Sequence, residues 1–399
     1  MRRFADIPST SIRNNIAALR TFFGAPAGQP AFTPTENFRA NEKSYAAYAQ
    51  IKYGFDLGGI VVDGLVGLRA IKTKTRISTF GQVVTPGQPD QFPAISASSD
   101  STDFLPNVSA RVGFTDQLQL RLAYTQTRTR PNFIDLRPTL SLNSPPSAGS
   151  INPNDPNSGR RTGSTGNPNL ESLNSDNYDA SLEWYFSRTG SLTGTIFRRD
   201  ARGFLATIPV NSEDPVYGPL RINTPVNLGQ TRLQGAEVNF TTFLDIEALP
   251  AWARSFGIQA NGTYIDAKGD LQPDYAATVG NEQQAFTGVS KWAYNLIALY
   301  ERPQFSARVA YNYRSKFITG YSLETFDPTA HPVIEEGRGQ LDFSTSVTPV
   351  ENITIQFDIA NLLGNPLKRY RQFDLAGNTY PRQVVYLERS YSLGVRFRF

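Results

Sequence analysis

Apolar residues at every second position, sustained over ten or more residues, recur along most of this chain and constrain it more than any other feature. Tyr391, Leu393, Val395, Phe397 and Phe399 share one face of a segment whose other face is Ser390, Ser392, Gly394, Arg396 and Arg398. The same period of two runs through Leu118–Tyr124, Tyr294–Tyr300, Phe305–Tyr313 and Ile353–Ile359. Such alternation is the mark of a strand with one apolar face. It predicts about thirteen strands, near 42–57, 60–77, 102–115, 117–130, 174–187, 191–209, 221–243, 255–269, 285–301, 304–317, 335–349, 352–374 and 382–399.

The links fall into two classes. Those at Gly58-Gly59, Asp116, Arg188 to Gly190, Arg302-Pro303 and Val350-Glu351 are tight, and the intervening ones are long. The link at 131–173 is the longest, and one tight-class link, 246–254, is expanded by a Pro-Ala-Trp-Ala stretch that predicts a helical turn. Short turns on one side and long loops on the other are the asymmetry of a transmembrane β-barrel. A soluble sandwich uses shorter strands with frequent turns and no such ordering. Phe256 and Tyr264, Trp292 and Tyr300, and Phe305 and Tyr313 are each eight residues apart on an apolar face. At about 3.3 Å per residue and a tilt near 40°, that spacing rises roughly 20 Å, close to the ~25 Å between aromatic girdles. The fold class expected is therefore all-β, an antiparallel transmembrane barrel.

Composition removes other classes. The 399 residues include 39% hydrophobic and only 19% charged, with no Cys and a single His, His331. Disulfide scaffolds, Cys nucleophiles and multi-histidine metal sites are excluded. A formal charge of +4 with dispersed Lys and Arg gives no nucleic-acid footprint. No apolar run reaches the length of a transmembrane helix, and the N-terminal MRRFADIPSTSIRNNIAALR lacks the apolar core of a secretory leader. Counting strands back from a periplasmic C-terminus starts strand 1 outside the cell. Residues 1–41 are then expected to be an extracellular loop remnant, and 42–399 a partial barrel from a longer chain.

Four stretches bring a family into view. NITIQFDIANLLGNPLKRYRQFD (Asn352 to Asp374) and the closing strand resemble the end of TonB-dependent outer-membrane receptors. YTQTRTRPNFIDLRP (Tyr124 to Pro138), GNPNLESLNSDNYDASLEWYF (Gly166 to Phe186) and NLGQTRLQGAEVNF (Asn227 to Phe240) resemble the proteobacterial subfamily with many carbohydrate-linked members. The resemblance implies the last thirteen strands of a twenty-two-stranded barrel, without leader, TonB-contact segment or plug domain. It implies outer-membrane uptake of a solute, an oligosaccharide ahead of an iron-siderophore, energised through the TonB system in the intact receptor. It implies contact with outer-membrane lipid and lipopolysaccharide, and it makes the alternate residues Tyr391, Leu393, Val395, Phe397 and Phe399 a signal for the outer-membrane assembly machinery.

The inward face is polar: Asn107, Ser109 and Arg111; Asp179 and Glu183; Glu237, Asn239 and Thr241; Gln259, Asn261 and Thr263; Arg308, Asn312 and Arg314. Water or a plug must solvate these groups. The candidate ligand-binding residues are Asn132, Asn167, Asn169 and Arg314, against a reading of the asparagines as turn formers. Arg128 and Arg130 continue the apolar face of their strand and are expected to meet lipid phosphates. No catalytic constellation or cofactor site is found, and His331 is expected to be a solvated loop residue. The competing functions are a passive porin-like pore, an outer-membrane hydrolase and a soluble carbohydrate-binding β-protein.

Overall fold

Gly58 and Gly59 both hold positive φ, 65° and 93°, a conformation that glycine adopts freely and that suits the twist of a two-residue hairpin. They turn β1 (Phe38–Leu57) into β2 (Ile60–Phe80), and the two pair without a break from Leu57↔Ile60 to Phe38↔Thr79. A computed structural model describes residues 15–24, 33–82, 91–147, 149, 151, 157–227, 229–244, 246–269, 287–324, 327–373 and 377–398. A short helix, α1 (Ile16–Phe22), precedes the hairpin. After it come β3 (Ala94–Gly113), β4 (Leu118–Thr129), β5 (Ser141–Leu142), β6 (Arg161–Ser164), β7 (Leu173–Trp184), β8 (Ser191–Arg202), β9 (Leu205–Asp214) and β10 (Gly218–Asn227). Then follow β11 (Gln230–Phe243), β12 (Phe256–Gly269), β13 (Trp292–Arg302), β14 (Phe305–Arg314), β15 (Phe317–Glu324) and β16 (Asp327–Glu335). The last are β17 (Arg338–Val350), β18 (Ile353–Ala360), β19 (Leu367–Gln372), β20 (Thr379–Val385) and β21 (Ser390–Phe397).

Thirteen of these strands form one sheet in the order β1-β2-β3-β4-β7-β8-β11-β12-β13-β14-β17-β18-β21. Every pairing in it is antiparallel. The strand number and the alternation of tight and long links are those the sequence predicts. The expanded link carries a 3-10 turn at Ala253–Ser255, where the Pro-Ala-Trp-Ala stretch predicts one.

One face of the sheet is a continuous apolar surface open to the surroundings. Phe256 lies opposite Tyr300, Ala260 opposite Leu296 and Tyr264 opposite Trp292. Further along, Val309 pairs Phe343, Val347 pairs Ile355 and Phe357 pairs Leu393. Leu296, Leu393 and Ile196 are 50%, 72% and 63% exposed, which no aqueous strand of this length tolerates in rows. The residues eight apart form two aromatic rows. Tyr264 and Trp292 meet at 4.6 Å with Tyr294 and Tyr313 at 5.0 Å, and at the other strand ends Phe256 meets Tyr300 at 4.7 Å. Among the described residues no helix is long and apolar enough to cross a membrane.

The long links correct the reading of their boundaries. They fold into two further four-stranded sheets, β5-β6-β10-β9 and β15-β16-β19-β20. The expected strands 191–209, 221–243, 352–374 and 382–399 each run a wall strand into a neighbour from one of these sheets. Gly203, at φ 78°, breaks β8 from β9, and Asn361, at φ 56°, ends β18. Both sides of each break alternate, so the period of two does not separate them.

Candidate functional site

Above the upper aromatic row the wall forks. β3 and β4 pair only from Gly113↔Gln119 to Asn107↔Thr125. Beyond that, β3 continues with β2 as far as Ala94↔Phe80, while β4 continues with β7 as far as Thr129↔Leu173. The segment after β4 fills the opening and roofs the inner face of β2. That face carries Ile71, Thr73, Thr75, Ile77 and Thr79 at alternate positions, all of them buried.

The roof is held by a small apolar core and by polar latches. Ile77, Leu136 and Leu170 form the core, with Ala40 and Leu205 packed against it. The Thr79 and Thr139 hydroxyls lie 2.7 Å apart, and Arg137 donates to the Thr35 carbonyl at 3.2 Å while lying over the Phe38 ring. Gly166 donates to the Arg137 carbonyl, and a Cβ there would stand 2.4 Å from that oxygen, so the roof segments approach too closely for any other residue.

Two ion pairs stand beneath the roof. Arg128, with 7% of its side chain exposed, pairs with Asp103 and donates to the Thr73 hydroxyl at 2.8 Å. Arg130 pairs with Glu42, whose carboxylate also accepts from Thr75 at 3.4 Å. This corrects the expectation that both arginines emerge among lipid phosphates. The strands have parted at this height, so a side chain on the outward face of β4 turns back through the gap to β2 and β3.

The fork leaves a polar cavity of about 510 Å³. Its lining includes Glu42, Thr73, Thr75, Ser99, Ser101, Thr102, Asp103, Arg130, Asn169 and Asn174. Hydroxyls and amides that both donate and accept, beside carboxylates that accept, set in one partly enclosed space, suit a ligand rich in hydroxyl groups.

Three of the four sequence candidates lie in this roof. Asn132 is exposed and its amide approaches Asp135 at 3.3 Å. Asn167 is a turn former: its Oδ1 accepts from the Asn169 N–H at 3.0 Å, and its Nδ2 donates to the Pro225 carbonyl of β10 at 3.1 Å. Asn169 is exposed and lines the cavity. Arg314 lies elsewhere, donating to Ser290 at 2.6 Å and to the Gly288 carbonyl, and stacking on Phe317 at 3.7 Å. Tyr391, Leu393, Val395 and Phe397 line the outward face of β21, and Phe399 lies outside the described residues.

Part of the inward wall below pairs within itself. Arg111 pairs with Asp63, Arg121 with Glu183 at 2.9 Å and Arg199 with Asp179 at 2.6 Å, while Asn295 donates to Asn261 at 2.7 Å. His331 is 6% exposed within β16 and not the solvated loop residue expected, because the loop that carries it is itself a sheet. Sequence reasoning missed Thr73, Thr75, Asp103 and Arg128 as residues of the site, and only Thr73 and Thr75 had a signal in the sequence. The run Lys72-Thr73-Lys74-Thr75-Arg76-Ile77-Ser78-Thr79 alternates exposed with coverable side chains and marks a strand with something on its second face.

Comparison with known proteins gives a consistent neighbourhood. Residues 9–362 match the family model described as TonB dependent receptor-like, beta-barrel. No curated protein matches the sequence. Among solved structures, the ferric-catecholate import receptor Fiu from E. coli K12 is similar at a TM-score of 0.58 and 13% identity, over 91% of this chain and 45% of that one. The siderophore receptor PiuA from Acinetobacter baumannii gives 0.53 and 17%, over 90% and 44%. The copper transporter OprC gives 0.55 and 14%, over 90% and 48%. At these identities the likeness is one of fold. The chain spans about half the length of the solved structures it matches, its thirteen strands correspond to about half of such a barrel, and no plug lies among the described residues.

Proposed function

We propose that this chain, which belongs to the TonB dependent receptor-like β-barrel family, supplies wall and outer vestibule to a receptor that takes up an oligosaccharide. The family is one of Gram-negative outer-membrane solute transport, not of enzymes. In this reading residues 42–399 are part of the barrel, Phe38–Asn41 join it as the start of β1 ahead of the expected boundary, and the residues before them belong to its outer loops. TonB-coupled energy belongs to the whole receptor, and the β21 outward face serves as the signal for the assembly machinery.

The observation that carries the oligosaccharide reading is the forked cavity. Its hydroxyl, amide and carboxylate lining offers paired acceptors and donors to vicinal hydroxyls. The similar solved proteins named for siderophores and copper bear on the fold, at 13–17% identity, and leave the solute of this chain to its own residues.

Titration calorimetry on the chain in lipid vesicles, with neutral oligosaccharides in one series and ferric enterobactin in another, tests the reading. Oligosaccharide binding weakened roughly fivefold by Ser101→Ala or Asn169→Ala is the expected result, about 1 kcal/mol per lost hydrogen bond. Binding of the iron chelate alone would overturn the oligosaccharide and keep the receptor. A passive pore is the competing reading. Among the described residues β1 and β21 each leave one edge without a strand partner, and each unpaired backbone group in lipid costs several kcal/mol. Discrete single-channel conductance from the chain alone would revive the pore.

A further inference from the structure

Arg314, the last residue of β14, stands directly opposite Arg338, the first residue of β17, and both occupy inward positions of the wall. They lie one residue beyond the upper aromatic row, whose Tyr313 precedes Arg314. Like charges facing each other across two strands destabilise a sheet. Nothing among the described residues offsets this pair. Arg314 donates to neutral groups, the Ser290 hydroxyl at 2.6 Å and the Gly288 carbonyl, and its guanidinium lies on the Phe317 ring. Arg338 makes no hydrogen bond or ion pair among the described residues, and its Nη1 is shut off from solvent without a partner.

The neighbouring carboxylates are taken. Glu335 pairs with Arg369 at 3.0 Å and Glu336 with Lys368 at 3.5 Å. Asp342, four residues along the inward face of β17, accepts from the Gln340 amide at 3.0 Å and from the Asn361 N–H at 2.8 Å. Other inward arginines are placed differently. Arg111, Arg121 and Arg199 each hold a carboxylate. Arg69 faces Tyr48 and Leu105, and Arg308 faces Leu299 and Ser344, so neither has a second cation opposite it. Arg314 and Arg338 are two cations in one row with no anion between them. A guanidinium nitrogen cut off from water with its hydrogen bond unmade costs free energy that a bound anion recovers.

We infer that the Arg314–Arg338 pair binds the carboxylate of an acidic sugar, which makes the solute an oligosaccharide carrying uronic acid residues. The inference rests on the oligosaccharide reading above and names the chemistry of that solute. Each guanidinium presents parallel N–H donors that match the two oxygens of a carboxylate, and one carboxylate between them removes the repulsion across the strands. Next along the same two strands Asn312 lies opposite Gln340, amides of the kind that donate to and accept from ring hydroxyls. The forked cavity is six strands along the sheet from β14, at β4, so the arginine pair is a second contact with the solute. The division of labour follows from the charges. Arg128 and Arg130 at the fork are paired with Asp103 and Glu42 and leave that cavity to hydroxyls, whereas Arg314 and Arg338 remain for the acid.

The test is titration calorimetry of the full chain in phosphatidylcholine vesicles with trigalacturonate, its trimethyl ester and maltotriose. Flotation with the vesicles is scored first. Trigalacturonate is expected to bind on the order of tenfold more tightly than the neutral ester. R338Q is expected to abolish that difference, and R308Q, which removes a lone inward cation, to preserve it. R338Q deletes a side chain that holds no partner, so the variant is expected to float and to unfold at no lower urea concentration than the parent. Equal binding of acid and ester, or a preference that survives R338Q, overturns the carboxylate site and leaves the oligosaccharide reading standing. A preference lost equally in R308Q would assign it to the general charge of the wall and overturn the pair. Displacement of trigalacturonate by inorganic sulfate at comparable concentration would assign the pair to a free anion instead. If none of the three sugars binds, the oligosaccharide reading falls together with the site, and a chain that fails to float takes the outer-membrane reading with them.

Discussion

The two halves of β2 follow the same rule and bury opposite sides. In the lower half Val62, Val66 and Leu68 face outward beside Val112, Val108 and Pro106 of β3, and Asp63 and Arg69 face the interior. In the upper half the outward positions become Lys72, Lys74 and Arg76, and the inward positions Ile71, Thr73, Thr75, Ile77 and Thr79 are the buried ones. The register does not slip between them. The apolar side is exchanged because the surroundings are exchanged: lipid outside the lower half, and the Leu136–Leu170 roof inside the upper half. A period of two therefore specifies a strand and its two faces, but not which medium each face meets.

The largest effect that would sharpen this contrast lies under the roof. Arg128→Ala leaves Asp103 buried without its cation, at about 3–5 kcal/mol for the loss of one partner of a buried pair. Replacing both partners by apolar residues, R128M with D103L, is expected to recover most of that loss. Urea unfolding of vesicle-inserted protein checks both. If the single variant is as stable as the parent, the roof does not seal the pair from water. The upper half of β2 would then be an ordinary wetted strand.

The lower half answers to lipid. Leu296 lies midway between the aromatic rows, four residues from both Trp292 and Tyr300, and faces outward. Leu296→Arg is expected to cost about 2–4 kcal/mol, as for a cation at the bilayer midplane. Asn312→Arg, on the inward face of the neighbouring β14, is expected to stay within about 1 kcal/mol. Equal losses at the two positions would mean that both faces meet the same medium, and the barrel assignment would fall.

What could be read from the chain divides along the same line. The thirteen wall strands are legible because lipid demands an unbroken apolar face, and residues such as Leu393, Val395 and Phe397 have no other reason to alternate. The external sheets are not. In β9, β19 and β20 one face is wet and the other only partly covered, and β10 buries Leu220 and Ile222 against external strands rather than wall, so all four read as extensions of their wall neighbours. Of the site, the asparagines of the long link stood out by composition. Arg128 and Asp103 are far apart in sequence and meet only because β3 and β4 part above Asn107, a separation that no local pattern encodes. His331 was misread for the same reason, since its burial depends on β15 and β19 lying on either side of β16.

The smallest effect separates a roof that is scaffold from a roof that is site. Asn167→Ala removes the acceptor of the Asn169 N–H and the donor to Pro225, and is expected to lower stability by about 1–2 kcal/mol. It should also lower the hydrogen-exchange protection of the Leu170 amide, which donates to the Asn167 carbonyl at 3.3 Å. Asn169→Ala, whose exposed side chain faces the cavity, should leave that protection unchanged and weaken oligosaccharide binding. Protection that falls equally in both variants would make Asn169 a part of the turn as well. Protection unchanged in both would mean that the Leu136–Leu170 core alone holds the roof, and that the polar latches follow from its position.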